Sequence, residues 1–239
     1  PGRIDHHSWM MLAAVLSLGA CLRVWQAPAA NRRACAFAGV ATALAMAITA
    51  ETSAVFATVM LIFLLAWIRD GVDVIAPIRA YVTASALAGL CLLPIEQPSS
   101  DLWRVACDAF AFPYVTALVL WAAFWWSVPM LAAHGSWRGR LGWGVLGGIG
   151  VLSALLALFP ECRNGPLGQV PPEQWQIWLG DAGGQQPLVA QNIELCTVIL
   201  VPTLLALLGI GLAMRKQQLD GRSAEVLVTW LLVWILLTI

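Results

Sequence analysis

Residues 34–68 read ACAFAGVATALAMAITAETSAVFATVMLIFLLAWI, and this stretch decides the fold of the chain. It is apolar almost throughout, and Glu51 is its one charged residue. A single helix of about 35 residues would be roughly 52 Å long, whereas the hydrocarbon core of a bilayer is about 30 Å thick. The chain must therefore turn near Glu51-Thr52-Ser53, and we expect Thr52 or Ser53 to cap the outgoing helix. This turn places the Glu51 carboxylate at a membrane interface.

The composition of the whole chain is that of a polytopic membrane protein. Of its 239 residues, 60% are hydrophobic and 11% are charged, and the mean hydropathy is +0.80. One soluble core cannot bury so much apolar surface. The net charge is zero, so there is no overall basic field for nucleic acid. Six tryptophans fall near the ends of apolar runs, where indole rings favour the headgroup level: Trp9, Trp25, Trp67, Trp103, Trp137 and Trp143.

Eight apolar runs predict eight transmembrane helices in an all-α fold with one transmembrane domain, residues 1–239. The runs are Trp9 to Trp25, Ala34 to Ala50, Ala54 to Ile68, Ala76 to Pro94, Tyr114 to Ala133, Trp143 to Phe159, Ile193 to Met214 and Val226 to Ile239. The first residue is not Met, and the last run is short for a full span. We therefore expect both ends to be truncated.

The basic residues predict the orientation of the chain. Alternating the loops between two sides puts ten of the 13 basic residues on one side, which the positive-inside rule assigns to the cytoplasm. Asp5-His6-His7, Glu51 and two long loops, 95–113 and 160–192, then lie on the outer side. We expect a bacterial inner membrane with the Asp-His-His face in the periplasm.

Each of the two long outer loops carries one cysteine. Cys107 and Cys162 would lie in an oxidising compartment if the outer side is a periplasm, so they are a candidate disulfide. The sequence has no Cys-x-x-Cys, no Gly-rich phosphate loop with Lys and Ser/Thr, no Gly-x-Ser-x-Gly and no His-Glu-x-x-His. These absences disfavour zinc knuckles, nucleotide-driven transport and the familiar hydrolases.

Asp5-His6-His7 stands directly before the first apolar run. Carboxylate and neutral imidazole are ligands for Mg, Mn or Zn, so the three residues are candidate metal ligands at a membrane surface. Asp5 can also act only as a cap of the following helix. Both interpretations stay open at this point.

Residues Pro1 to Trp9, read Pro-Gly-Arg-Ile-Asp-His-His-Ser-Trp, resemble the second acidic motif of GT-C glycosyltransferases, above all oligosaccharyltransferase catalytic subunits. The segment Asp181 to Pro187 is more weakly similar to a Ser-Val-Ser-Glu-His-Gln-Pro stretch in the long outer loop of those enzymes. Cys107-Asp108 and Phe159 to Pro166 resemble loop segments of uncharacterised bacterial membrane proteins that carry Gly-Arg-Ile-Asp-His-His.

The resemblance implies a GT-C-like fold and transfer of sugar from a polyprenyl-(pyro)phosphate donor on the outer face, to an acceptor that the sequence does not identify. It implies that Asp5 and His7 hold a divalent cation, Mg or Mn, with His6 as a neighbour or alternative. Such an ion would neutralise the departing phosphate. Glu51 is an expected catalytic carboxylate.

Arg3, Gln185 and Gln186 are the expected substrate-binding residues under the same resemblance. Gly184 stands where the family has a glutamate, and this difference keeps a catalytically inactive GT-C homologue as an alternative. A transporter or flippase-like protein is the other alternative. Transporters usually place charges at mid-membrane, whereas the acids here lie near the outer ends of the runs.

Overall fold

The computed structural model describes residues 7–26, 31–131, 135–164, 193–216 and 220–238. The chain divides into two compact units, residues 1–169 (unit 1) and 170–239 (unit 2). The division falls inside the segment that the sequence assigns to the second long loop.

The described residues are all-α and contain no strand. Their helices are α1 (His7–Gln26), α2 (Arg32–Ile48), α3 (Ser53–Asp70), α4 (Ile75–Glu96), α5 (Phe112–Leu131), α6 (Trp137–Leu158), α7 (Ile193–Arg215) and α8 (Gly221–Thr238). Four 3-10 turns lie between them, Ala50–Thr52, Gly71–Val74, Ser99–Asp101 and Pro160–Asn164. Each α-helix overlaps one of the eight apolar runs, so the all-α prediction is confirmed.

Three helical segments of the described chain are long and apolar enough to cross a membrane: Trp9–Gln26, Ala50–Glu96 and Trp137–Leu158. The second contains both α3 and α4. Two shorter apolar helical stretches are Phe112–Val128 and Leu204–Arg215. These lengths and compositions fit a membrane protein, and a full set of eight spans stays a prediction.

The tightest packing in unit 1 joins α2 to α4. A Cβ atom placed on Gly39 would lie 2.3 Å from the Tyr81 carbonyl oxygen, so the two backbones touch at this point. The buried side chains of α2 around it are small, among them Cys35, Ala38 and Ala43. Small residues let helices approach closely where van der Waals packing drives association, as it does in lipid.

A buried cluster of three hydroxyl groups connects α1, α2 and α4. The Thr42 hydroxyl lies 2.8 Å from the Ser17 hydroxyl and 2.8 Å from the Tyr81 hydroxyl, and it donates to the Ala38 carbonyl oxygen at 2.9 Å. The Tyr81 ring packs edge-on against Phe63, with centroids 5.3 Å apart. Every hydroxyl in the cluster has a hydrogen-bond partner, and these bonds offset the cost of removing the polar groups from water.

Two of the six tryptophans near the ends of apolar runs are buried between helices of unit 1. Trp67 is 0% exposed and packs edge-on against Trp125, and Trp25 is 5% exposed beneath the Arg69 guanidinium at 3.9 Å. Proximity to a helix end does not decide which face a side chain occupies, so these two rings pack inside unit 1. Trp9, Trp103, Trp137 and Trp143 are exposed. The headgroup level of all six stays a prediction.

Arginines complete helix ends in unit 1. Arg140 donates to the Ile68 and Arg69 carbonyl oxygens at 2.9 and 3.2 Å, where α3 ends and Gly71 turns the chain with a φ of 70°. Arg79 donates to the Trp125 carbonyl oxygen at 3.1 Å. Pro129, four residues later in α5, has no N–H for that carbonyl. Both arginines therefore donate to carbonyl groups of another helix, α3 or α5, that lack an N–H donor within that helix.

Unit 2 contains α7 and α8, which pack against each other. Asp220 precedes α8, and its Oδ2 atom accepts a hydrogen bond from the Ser223 backbone N–H at 3.2 Å. The Ser223 hydroxyl donates to the other carboxylate oxygen. A carboxylate at this position satisfies a free N–H group and interacts favourably with the helix dipole, so the sequence defines where α8 begins.

Candidate functional site

A disulfide joins the two cysteines that the sequence places in the outer loops. Cys107 and Cys162 are bonded, with Cα atoms 5.4 Å apart, within the usual range of roughly 4.4 to 6.8 Å. The bond ties the segment before α5 to the turn after α6. We call this end of unit 1, where α2 and α6 end and α3 and α5 begin, the disulfide end.

Aromatic and polar contacts order the segment before α5. The Tyr114 hydroxyl donates to the Cys107 carbonyl oxygen, and Gln97 Nε2 donates to the Phe110 carbonyl oxygen at 3.0 Å. Phe112 packs edge-on against Phe159, with centroids 5.8 Å apart. The first long loop is thus a packed part of unit 1 in which several backbone groups have defined partners.

An apolar cavity of about 290 Å³ lies beneath the disulfide. Four helices, α2, α3, α5 and α6, and the disulfide line it. Its lining residues are Met46, Ser53, Phe56, Cys107, Pro113, Tyr114, Ala117, Trp121, Leu152, Leu155, Leu156, Phe159 and Cys162. Ser53 and Tyr114 carry the only hydroxyl groups in this set, so the lining suits an apolar ligand with few polar contacts.

The Glu51 turn lies at the same end of unit 1. Glu51 is exposed in the 3-10 turn Ala50–Thr52, two residues before the cavity residue Ser53. The turn also contacts α1. The α1 and α2 helices run antiparallel, since Ser17 meets Thr42 and Cys21 lies near Cys35, so the turn that ends α2 faces the beginning of α1. The predicted turn between α2 and α3 is present.

The expected side-chain cap of α3 is absent. Thr52 occupies the N-cap position, but its backbone is helical, with φ −62° and ψ −14°, and its hydroxyl makes no capping hydrogen bond. The reason is that the 3-10 turn continues directly into α3, whereas a capping side chain needs an extended backbone to reach the N–H groups of the first turn. Ser53 begins α3 and lines the cavity.

The structure places only part of the site predicted from the sequence. Glu51 is exposed beside α1, and α1 begins at His7, whose side chain is not among the described ones. Asp5, His6, Arg3, Gln185 and Gln186 lie outside the described residues. The described part of the chain therefore brings the Glu51 turn to the helix that begins at His7, and the distance between Glu51 and Asp5 stays a prediction.

No group of three or more His, Cys, Asp or Glu side chains that could hold a metal ion occurs among the described residues. Two of the three expected metal ligands, Asp5 and His6, lie outside that set. In donor chemistry, a carboxylate oxygen with an imidazole nitrogen suits a divalent cation such as Mn²⁺ or Zn²⁺, and additional carboxylates favour Mg²⁺. The metal assignment stays a prediction.

Sequence reasoning missed the cavity because its lining comes from four helices. Phe56, Trp121 and Leu156 each look like ordinary apolar positions in a span, and nothing in their local sequence marks them. The cysteines were the one signal in the sequence that pointed to this region, since both line the cavity.

Comparisons with protein-family models, with curated proteins and with solved structures gave no match to this chain.

Proposed function

We propose that this chain is a metal-dependent membrane glycosyltransferase of GT-C type that takes sugar from a polyprenyl-(pyro)phosphate donor at the disulfide end. The observation that carries the proposal is the contact between the Glu51 turn and α1. It gives an exposed carboxylate a position beside the helix that begins at His7, directly after Asp5 and His6. Glu51 would thereby supply the carboxylate that Gly184 does not.

Asp5 and His7 would hold a divalent cation, with His6 as the alternative ligand. The ion, when bound, would neutralise charge on the departing phosphate. Arg3, Gln185 and Gln186 are the proposed contacts to substrate. The disulfide end would face the periplasm, because Cys107 and Cys162 are bonded there and disulfides persist in oxidising compartments.

The buried polar side chains favour this enzyme over a transporter. Among the described residues they are all hydroxyl-bearing: Ser17, Thr42, Thr52, Thr58, Ser85 and Ser223. Transporters usually bury charged groups where helices break near mid-membrane. The described charged groups instead lie outside the buried core, at positions suited to chemistry on a membrane surface.

The test is metal-dependent consumption of a radiolabelled polyprenyl-phosphate-linked hexose by the full-length protein in vesicles. Asp5→Asn should lower turnover by about a hundredfold or more, because Asn caps a helix as well as Asp but brings no charge to the ion. Glu51→Gln should also lower it.

Asp73→Asn is the matched control. Asp73 is an exposed carboxylate in the 3-10 turn Gly71–Val74, which joins α3 to α4 at the opposite end of α3. We expect it to keep full turnover. Near-normal donor consumption by Asp5→Asn would refute the metal role and leave the transporter or the inactive homologue as the better interpretation.

A further inference from the structure

The packing of α6 changes between its beginning and the disulfide end. Nearer its beginning α6 packs closely: a Cβ on Gly144 would lie 2.6 Å from the Leu64 side chain of α3, and one on Gly147 would lie 2.0 Å from the Phe124 ring of α5. In the last turns of α6 the facing residues are instead leucines such as Leu155 and Leu156, and they line open space. The cavity therefore follows from the sequence of α6, in which glycines that permit close contact are followed by leucines that line the cavity.

Two contacts hold the far end of α6 at this separation. The Cys107–Cys162 disulfide links the turn after α6 to the segment before α5, and the Phe112 and Phe159 rings pack edge-on beside it. Close packing at one end and a covalent bond at the other keep the walls from collapsing onto each other. An unfilled apolar space of this size forfeits dispersion contacts, so an apolar occupant is favoured.

The cavity is open to the side of the bundle. Leu152 lines it and is also 58% exposed. α6 is one of the segments long and apolar enough to span a membrane, and only 6% of its span is buried. An apolar chain in the surrounding lipid therefore reaches the cavity without crossing water.

We propose that this cavity binds the isoprenoid chain of a polyprenyl phosphate, and that the Cys107–Cys162 disulfide forms its outer wall. The inference takes its substrate class from the proposed function and adds the binding site. Four lining residues present aromatic rings, Phe56, Tyr114, Trp121 and Phe159. Flat rings beside branched leucines fit a chain with methyl branches and double bonds better than a straight saturated chain, because they fill space around each branch.

The rim of the cavity is polar, as an amphiphile requires. Asp108 follows Cys107, and Glu161 and Arg163 flank Cys162; all three side chains are exposed. Arg163 donates to the carbonyl oxygen of the lining residue Leu156 at 3.4 Å. Of these three side chains the Arg163 guanidinium is the one that attracts a phosphate, so the headgroup of a bound lipid would lie towards Arg163 while its chain lies among the apolar residues.

The experiment is photolabelling of the full-length protein with a polyprenyl phosphate that carries a benzophenone on its third isoprene unit, in phosphatidylcholine–phosphatidylglycerol vesicles. The labelled peptides of the unaltered protein should come from α5 and the last turns of α6. Leu156→Trp fills the cavity and should lower labelling about tenfold. Leu146→Trp, on the exposed face of the same helix, is the matched control and should label normally.

Two further measurements test which lipid chain binds and whether the disulfide forms the outer wall of the cavity. Unlabelled polyprenyl phosphate should compete, whereas a saturated alkyl phosphate of equal length should compete at least about tenfold more weakly. A Cys107→Ser/Cys162→Ser double variant should label more weakly than the unaltered protein. Equal labelling of the two tryptophan variants, labels outside the cavity lining, equal competition by the saturated chain, or full labelling of the double variant would each overturn the proposal.

Labelling requires no turnover, so the two proposals fail separately. Asp5→Asn should still label, because Asp5 acts on the phosphate and not on the chain. Loss of cavity labelling in a protein that still consumes donor would reject the chain site alone. Cavity labelling in a protein that consumes no donor would reject the enzyme and keep the site.

Discussion

Replacement of Gly39 by alanine tests whether unit 1 depends on direct backbone contact between α2 and α4. The added Cβ would lie 2.3 Å from the Tyr81 carbonyl oxygen and 3.2 Å from the Ser85 nitrogen. These are backbone atoms, so no side-chain rotation relieves the clash and the helices must separate. Overpacking of this kind costs about 1 to 3 kcal/mol. Separation also strains the hydrogen bond between Thr42 and Tyr81, worth about 1 kcal/mol.

Alanine favours a helix over glycine by about 1 kcal/mol, which offsets part of this cost. We therefore expect Gly39→Ala to lower the free energy of unfolding by about 2 kcal/mol. The assay is reversible unfolding of the purified protein in mixed micelles as the fraction of denaturing detergent rises, followed by tryptophan fluorescence and circular dichroism.

Gly148→Ala is the control, because a Cβ on Gly148 meets nothing within 4 Å. It should be neutral or stabilising by up to about 1 kcal/mol, from helix propensity alone. The reasoning is refuted if both alanine variants unfold at the same detergent fraction, since the α2–α4 contact would then tolerate a methyl group.

Two other substitutions are measured in the same way. Cys162→Ser removes a crosslink between residues 55 apart in sequence, so the free energy of unfolding should fall by at most about 4 kcal/mol; a dithiol reductant should lower the stability of the unaltered protein equally and leave the variant unchanged. An effect of reductant on the variant would contradict this prediction. Tyr81→Phe should lower the free energy of unfolding by about 1 kcal/mol, because Thr42 loses one hydrogen-bond partner but keeps Ser17 and the Ala38 carbonyl. Unchanged stability would mean that the Tyr81 hydroxyl contributes nothing.

The sequence alone determined the helical class and the approximate position of every described α-helix. Apolar runs of this length predict helices, because a backbone segment in the hydrocarbon core of a bilayer has no water to bond and must form its hydrogen bonds within itself. The turn at Glu51 followed from length, since the 34–68 stretch is too long for one span. The cysteine pair followed from the loop pattern, which put both residues on one side.

The sequence could not determine which face of each helix is buried. Trp25 and Trp67 are buried although they stand at the ends of runs, and the strongly apolar α3 and α6 differ greatly in burial. The reason is that helices in lipid are apolar all round, so hydrophobic periodicity no longer marks the inner face. The missing side-chain cap at Thr52 depended likewise on the backbone of the turn before it.

The candidate site also has one part that the sequence predicts and another that only the tertiary structure decides. The sequence predicted candidate metal ligands at the beginning of α1, because Asp5-His6-His7 is a local pattern whose donor atoms can be read one residue at a time. Only the tertiary structure decided that the Glu51 turn contacts α1 and that a cavity opens beneath Cys107 and Cys162. A cavity is a property of several helices at once: glycines at Gly144 and Gly147 bring α6 in, the disulfide holds its far end, and the space between them has no signature in any single stretch of the chain.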